Sequence, residues 1–149
     1  GPVVLVLHGP NLNLLGDREP EIYGTTTLAD HLATVRAAAT PYGFVVEDLQ
    51  SNHEGVLVDA IHAARTDCAG IVINPAGLTH TSVVLRDALA GVALPVAEVH
   101  ISDVAKREPF RHHSYVADVA VVHVVGEGVA GYATAIDRLV DVIAGRAEG

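Results

Sequence analysis

Between Gly9 and Gly24 the chain reads G-P-N-L-N-L-L-G-D-R-E-P-E-I-Y-G, sixteen residues that hold a guanidinium, a phenol and two carboxamides. Loops that join a strand to a helix usually need roughly two to six residues. A connection this long is read as functional, with Gly16 and Gly24 as hinges of a lid. Arg18 and Tyr23 lie in its mobile part, so closure would carry a cation and a phenol onto whatever lies above the sheet. A second set of polar residues recurs along the chain: Asn11, Asn74, Glu98, His100 and Ser102, then Arg107 and Arg111. Arginines suit a carboxylate ligand. Each of these residues also has a plainer reading: a tyrosine in a loop is commonly a surface anchor, and asparagines cap turns.

What favours the chemical reading is the set of elements that must position them. Val3–Leu7 is a short apolar run that predicts a buried strand. Leu28, Leu32, Val35 and Ala39 line one face of a helix that starts near Thr27 and breaks at Pro41 and Gly43. Phe44–Leu49 reads as a second strand. Ser51-Asn-His-Glu54 matches a capping box opening a helix that turns Leu57, Ile61 and Ala64 inward. Gly70–Ile73 is a third strand, a helix runs from about His80 to Leu89, and Leu94–Val99 is a fourth strand. Residues 100–115 read as irregular. Val119–Val125 is the fifth strand, and Tyr132, Ile136, Leu139, Val140 and Ile143 form the inner face of the last helix. Strands alternating with helices call for an open parallel sheet with helices on both faces, and right-handed crossovers favour the flavodoxin-like order 2-1-3-4-5. In such α/β folds ligands bind outside the carboxyl ends of the strands. Asn11, Asn74, Glu98, His100 and Ser102 all fall at those ends.

Composition narrows the classes further. A chain of 149 residues suffices for a single domain, 1–149, with a real core. Half of the residues are hydrophobic, mostly Val, Ala, Leu and Ile, as in a parallel sheet under Ala-rich helices. A net charge of −9 argues against nucleic acid or an anionic membrane as partner, yet local arginines still allow an anionic small substrate. The lone Cys68 reads as a small buried residue in a reducing compartment. No run has the length of a membrane span or the pattern of a signal peptide, so a cytoplasmic protein is expected. The Gly1-Pro2 start reads as a processed end or an expression scar.

Six blocks then become recognisable in order: the 9–24 stretch, Q-S-N-H-E-G at 50–55, N-P-A-G-L-T-H-T-S at 74–82, E-V-H-I-S at 98–102, R-E-P-F-R-H-H-S at 107–114 and G-x-G-x-x-G-Y at 126–132. Together they resemble type II 3-dehydroquinate dehydratase, which removes water from 3-dehydroquinate to give 3-dehydroshikimate. The resemblance implies that Tyr23 is the base, activated by Arg18 with help from Arg107. It implies that Asn11 holds a water that stabilises an enolate and that His100 protonates the departing hydroxyl. Glu98, two residues away on the same side of an extended strand, would orient His100 or a substrate hydroxyl. Asn74, His80, Arg111, and Ser102 with the amides around Ile101, match the groups that bind carboxylate and hydroxyls. Asp87 is matched to a contact from a neighbouring subunit, since the family assembles as trimers packed into dodecamers. No metal or cofactor is implied. The role of His8, where many members carry another polar residue, often Asn, stays open.

Two competing readings need mention. Gly126-Glu-Gly-Val-Ala-Gly131 spells the dinucleotide fingerprint, but it follows the last strand, and Glu127 would repel a pyrophosphate. A nucleotide- or FMN-binding module is the alternative from the fold alone, although Pro10 and Leu14-Leu15 stand where its phosphate loop would be. A metal hydrolase built on His80, His100, His112 and His113 lacks any ligand spacing.

Overall fold

The computed structural model describes residues 1–17 and 19–148, the side chains of Ile22, Tyr23, Ala147 and Glu148 excepted. Five strands, β1 (Val3–His8), β2 (Val45–Gln50), β3 (Gly70–Asn74), β4 (Val96–His100) and β5 (Val122–Val125), pair in parallel in the order β2-β1-β3-β4-β5. The expected doubly wound, flavodoxin-like sheet is the observed one. A one-turn helix α1 (Pro20–Tyr23) lies in the 9–24 stretch. Helices α2 (Leu28–Ala39) and α5 (Ala130–Glu148) cover one face of the sheet, and α3 (Glu54–Asp67) and α4 (Val83–Val92) the other.

Strand alternation divides the core in two. Val4, Val6, Val72, Ala97 and Val99 meet Val35, Ala39, Ile136 and Leu139 on the α2/α5 side. Leu5, Leu7, Ile71, Ile73 and Val96 meet Leu57, Ile61, Leu85 and Leu89 on the other. Burying each large aliphatic side chain contributes roughly 1.5–3 kcal/mol, so these two layers dominate the stability of the sheet. The same alternation fixes which way the polar ends of the strands face. His8 and Asn74 are register neighbours and continue the α2/α5 side, whereas Glu98 and His100 continue the α3/α4 side.

Several boundaries differ from the reading of the sequence. The segment 117–119 is a 3-10 turn, so β5 begins at Val122. His80 ends a 3-10 segment, Ala76–His80, and does not open the following helix; α4 starts at Val83, with Ser82 as its cap accepting from the Leu85 amide at 2.9 Å. The expected capping box at Ser51–Glu54 does not form. Helix α3 starts at Glu54 itself with His53 as its cap, two residues too late for Ser51 to be the cap. Ser51 instead closes a local turn on the His53 amide, and Glu54 accepts from the Ser82 hydroxyl at the mouth of α4. A capping box is present elsewhere, between Thr27 and Asp30 at the start of α2. No helix among the described residues is long and apolar enough to cross a membrane.

Candidate active site

A cleft of about 140 Å³ opens over the carboxyl ends of β1, β3 and β4. Gly9 makes its floor possible. Its amide donates to the Asn74 carbonyl at 2.8 Å, and a Cβ on it would lie 2.3 Å from the Pro75 carbonyl oxygen. Only glycine lets the turns after β1 and β3 approach so closely. Asn11 follows on the cleft wall. It is not on the strand edge but in the left-handed region (φ 71°), which Asn tolerates better than most residues, and its amide donates to Asn52 Oδ1 at 2.9 Å. Gln50 donates to the Gly9 carbonyl and to the same Asn52 oxygen, both at 3.2 Å. The Q-S-N block therefore serves the foot of the loop rather than a helix cap. Leu12 and Leu15 are buried in the α2/α5 core and anchor the first half of the 9–24 stretch. Arg18 and the side chain of Tyr23 lie outside the described residues.

Asn74 lines the floor, almost fully buried. Its Oδ1 accepts from the Ala76 amide at 3.1 Å, which turns its carboxamide nitrogen the other way. Ala76 takes a positive φ of 55°, a conformation costly for a residue with a Cβ.

The opposite wall is built on β4. His100 Nε2 stands 2.7 Å from Glu98 Oε2, and Ser114 donates to the same carboxylate oxygen at 2.6 Å. A carboxylate only accepts, so Nε2 carries a proton, and Nδ1 is the nitrogen left for the cleft. Burial by itself pushes the Glu98 carboxyl up; the hydrogen bonds from His100 and Ser114 outweigh it, and the group is held below the ordinary carboxylate value. The dyad thus sets a buried carboxylate directly behind the imidazole that faces the cleft. Ser114 was not singled out in the sequence, where it closes the R-H-H-S block. Neighbouring bonds fix it: the Tyr115 amide donates to the Thr79 carbonyl at 2.9 Å, and Arg86 donates to the Tyr115 carbonyl at 2.8 Å.

The remaining wall brings positive charge. Arg107 and Arg111 both line the cleft; Arg111 donates to Glu108 at 3.1 Å and lies over the exposed Phe110 ring. The Arg107 side chain is only 13% exposed, so its field is weakly screened. His80 also lines the cleft, and its Nδ1 bonds the His113 carbonyl at 2.7 Å. Since a carbonyl only accepts, Nδ1 holds the hydrogen. Partial burial, only partly offset by that bond, lowers the His80 pKa, so the ring is neutral at pH 7 and offers Nε2 as an acceptor. Ile101 and Ser102 complete the lining.

The glycine-rich turn supports this wall. The Gly126 amide donates to the His100 carbonyl at 3.0 Å and the Gly128 amide to the Ile101 carbonyl at 3.2 Å. Both glycines have positive φ. Amides committed to the end of β4 cannot cradle a phosphate, which removes the physical basis of the nucleotide reading. The histidines proposed for a metal are likewise engaged: His112 bonds the Arg107 carbonyl, and the His113 ring packs edge-on against Tyr115. Among the described residues no group of three His, Cys, Asp or Glu side chains is arranged to hold an ion. Asp87 is not in the cleft of this chain. It is exposed on α4, beside His62 and Arg65.

Comparison with known proteins gives this geometry its context. Residues 2–140 match the profile of the family described as dehydroquinase class II. A 3-dehydroquinate dehydratase of Ralstonia nicotianae is 62% identical over 138 residues, 92% of this chain and 88% of that protein. A catabolic 3-dehydroquinase of Aspergillus flavus is 54% identical over 147 residues, 99% of this chain and 98% of that protein. Among solved structures, the type II dehydroquinase of Butyrivibrio crossotus superposes with a TM-score of 0.89 at 44% identity, covering 93% of this chain and 97% of that one. With that match in sequence and fold, the chain belongs to the class II dehydroquinase family of hydro-lyases.

Proposed function

We propose that this class II dehydroquinase removes water from 3-dehydroquinate through an enolate, with Tyr23 as base and His100 as acid. The Tyr23 phenolate takes the proton alpha to the ketone, and the electron pair of that bond moves onto the carbonyl oxygen as an enolate. Asn11 holds a water that donates to this oxygen. When the ketone re-forms, the pair expels the beta hydroxyl, which leaves as water after taking the Nδ1 proton of His100. The alkene and ketone of the product are then conjugated. Arg111, His80, Asn74, Ser102 and the amides around Ile101 hold the substrate's carboxylate and hydroxyls.

The magnitudes are consistent with the residues. Ionising an unperturbed phenol at pH 7 costs about 4 kcal/mol. One guanidinium about 4 Å away, at an effective dielectric constant of about 20, returns roughly that amount. Arg18 is assigned this task and Arg107 a supporting share. The observation that supports the reading most is the dyad itself: His100 faces a cationic cleft with the buried Glu98 carboxylate behind it. That arrangement suits an acid which must carry a proton next to an anionic substrate.

The proposal extends to the setting. The enzyme works in the cytoplasm without a cofactor, as a trimer-based dodecamer in which Asp87 reaches a neighbour's site. Adding 3-dehydroquinate to the purified protein alone should raise the ultraviolet absorbance of an enone. Borohydride added with substrate should not inactivate the protein, because no imine forms. No absorbance rise, or inactivation by borohydride, would refute the reading, and a mass measurement in solution tests the assembly.

A further inference from the structure

Tyr132, His8 and His31 form a buried cluster that this chemistry does not use. Behind the cleft floor, Tyr132 of α5 is fully buried, and its hydroxyl lies 2.9 Å from His8 Nε2 and 3.5 Å from Asn74 Nδ2. His8 and Asn74 are register neighbours at the ends of β1 and β3, both almost inaccessible to solvent. The His8 and His31 rings pack on Tyr132 with centroids 5.4 and 5.0 Å from its own.

We infer that the Tyr132 hydroxyl, held by His8, is a positioning group that sets the carboxamide of Asn74 for substrate. Donor and acceptor counting gives the direction of the chain. Asn74 Oδ1 is committed to the Ala76 amide, so its nitrogen is the atom facing Tyr132. That nitrogen only donates, and Tyr132 Oη accepts. The hydroxyl hydrogen is then free to be donated to His8 Nε2. The opposite direction would leave the buried hydroxyl hydrogen without a protein acceptor and is the costlier choice. His8 Nδ1 has no hydrogen-bond partner among the described residues in either case. The second N–H of Asn74 is left for the cleft, where it reads an acceptor on the ligand such as a carboxylate or hydroxyl oxygen. Ring packing alone needs no hydroxyl at position 132; a phenylalanine would fill the same space.

This inference rests on the proposed role of Asn74 in binding, so the test separates the two. Tyr132→Phe keeps the ring and removes the hydroxyl. It should raise KM about fivefold to tenfold with kcat nearly unchanged, the size expected for one net hydrogen bond. Asn74→Ala should raise KM by at least as much. The double variant should match Asn74→Ala alone, because the hydroxyl acts only through Asn74. His8→Phe, which removes the acceptor without touching Tyr132, should raise KM in the same direction and also show no added effect on Asn74→Ala. It carries the test if Tyr132→Phe does not fold. A wild-type KM in Tyr132→Phe or His8→Phe beside an impaired Asn74→Ala would overturn the positioning role alone, as would additive effects in the double variant. A wild-type KM in Asn74→Ala would overturn the binding role of Asn74 and this inference with it.

Discussion

The two faces of this sheet end in two histidine clusters that differ in one respect. On the α3/α4 side, His100 has a carboxylate partner, Glu98, itself held by Ser114. On the α2/α5 side, His8 has a phenol partner, whereas both nitrogens of the buried His31 ring lack a hydrogen-bond partner among the described residues. An anion behind an imidazole favours its charged form, whereas burial against neutral groups disfavours it. Burial, with a contribution from His31, lowers the His8 pKa to about 4, and burial lowers that of His31 as well; Asp48 and Asp30 oppose the shifts only in part. The same side-chain type is thus held against a carboxylate on one face and kept for neutral hydrogen bonding on the other. Only the partners differ, and strand alternation decides which partners each residue meets.

The largest break in this contrast is His100→Ala. Loss of the proposed acid should lower kcat by about 10³-fold while product binding persists, measured by steady-state kinetics and titration. The next test concerns the neutral side and is read as stability. Below its ordinary value of 6.5, His8 gains a proton in the unfolded chain but not in the folded one until pH falls to about 4. Wild-type stability should therefore decline across that window, with at most about 3 kcal/mol due to His8. His8→Asn should flatten that part of the pH profile in urea unfolding. An unchanged slope would show that His8 is not held neutral. A third test sharpens the charged side. Glu98→Gln keeps the shape of the dyad and removes its charge, and kcat should fall about 10-fold to 100-fold, the worth of a charged hydrogen bond. A fall of less than twofold would reduce Glu98 to a packing role.

Much of this was legible in the sequence, because the strand–helix alternation is strong and the rule for α/β folds places ligands at one edge. Asn74, His80, His100, Ser102 and Arg111 fall in one cleft as a result. What was not legible has physical causes. His31 turns inward at a position where Leu28 and Leu32 are the more apolar candidates, and those two are only partly buried. Tyr132 was read as core, and its polar end was invisible until the register of β1 and β3 brought His8 and Asn74 beneath it. The S-x-x-E pattern misled because a local motif is overridden when the helix starts elsewhere and its Glu54 finds a partner on another helix. Ser114 lies sixteen residues from Glu98 in an irregular segment, and no periodicity could join them.

The central claim is that the phenol of Tyr23 takes the proton. Tyr23→Phe removes only that hydroxyl, and it should be assayed by the enone absorbance alongside calorimetric binding of 3-dehydroshikimate. The account predicts turnover reduced by at least about 10³-fold with binding retained. Turnover within tenfold of the wild type would contradict it.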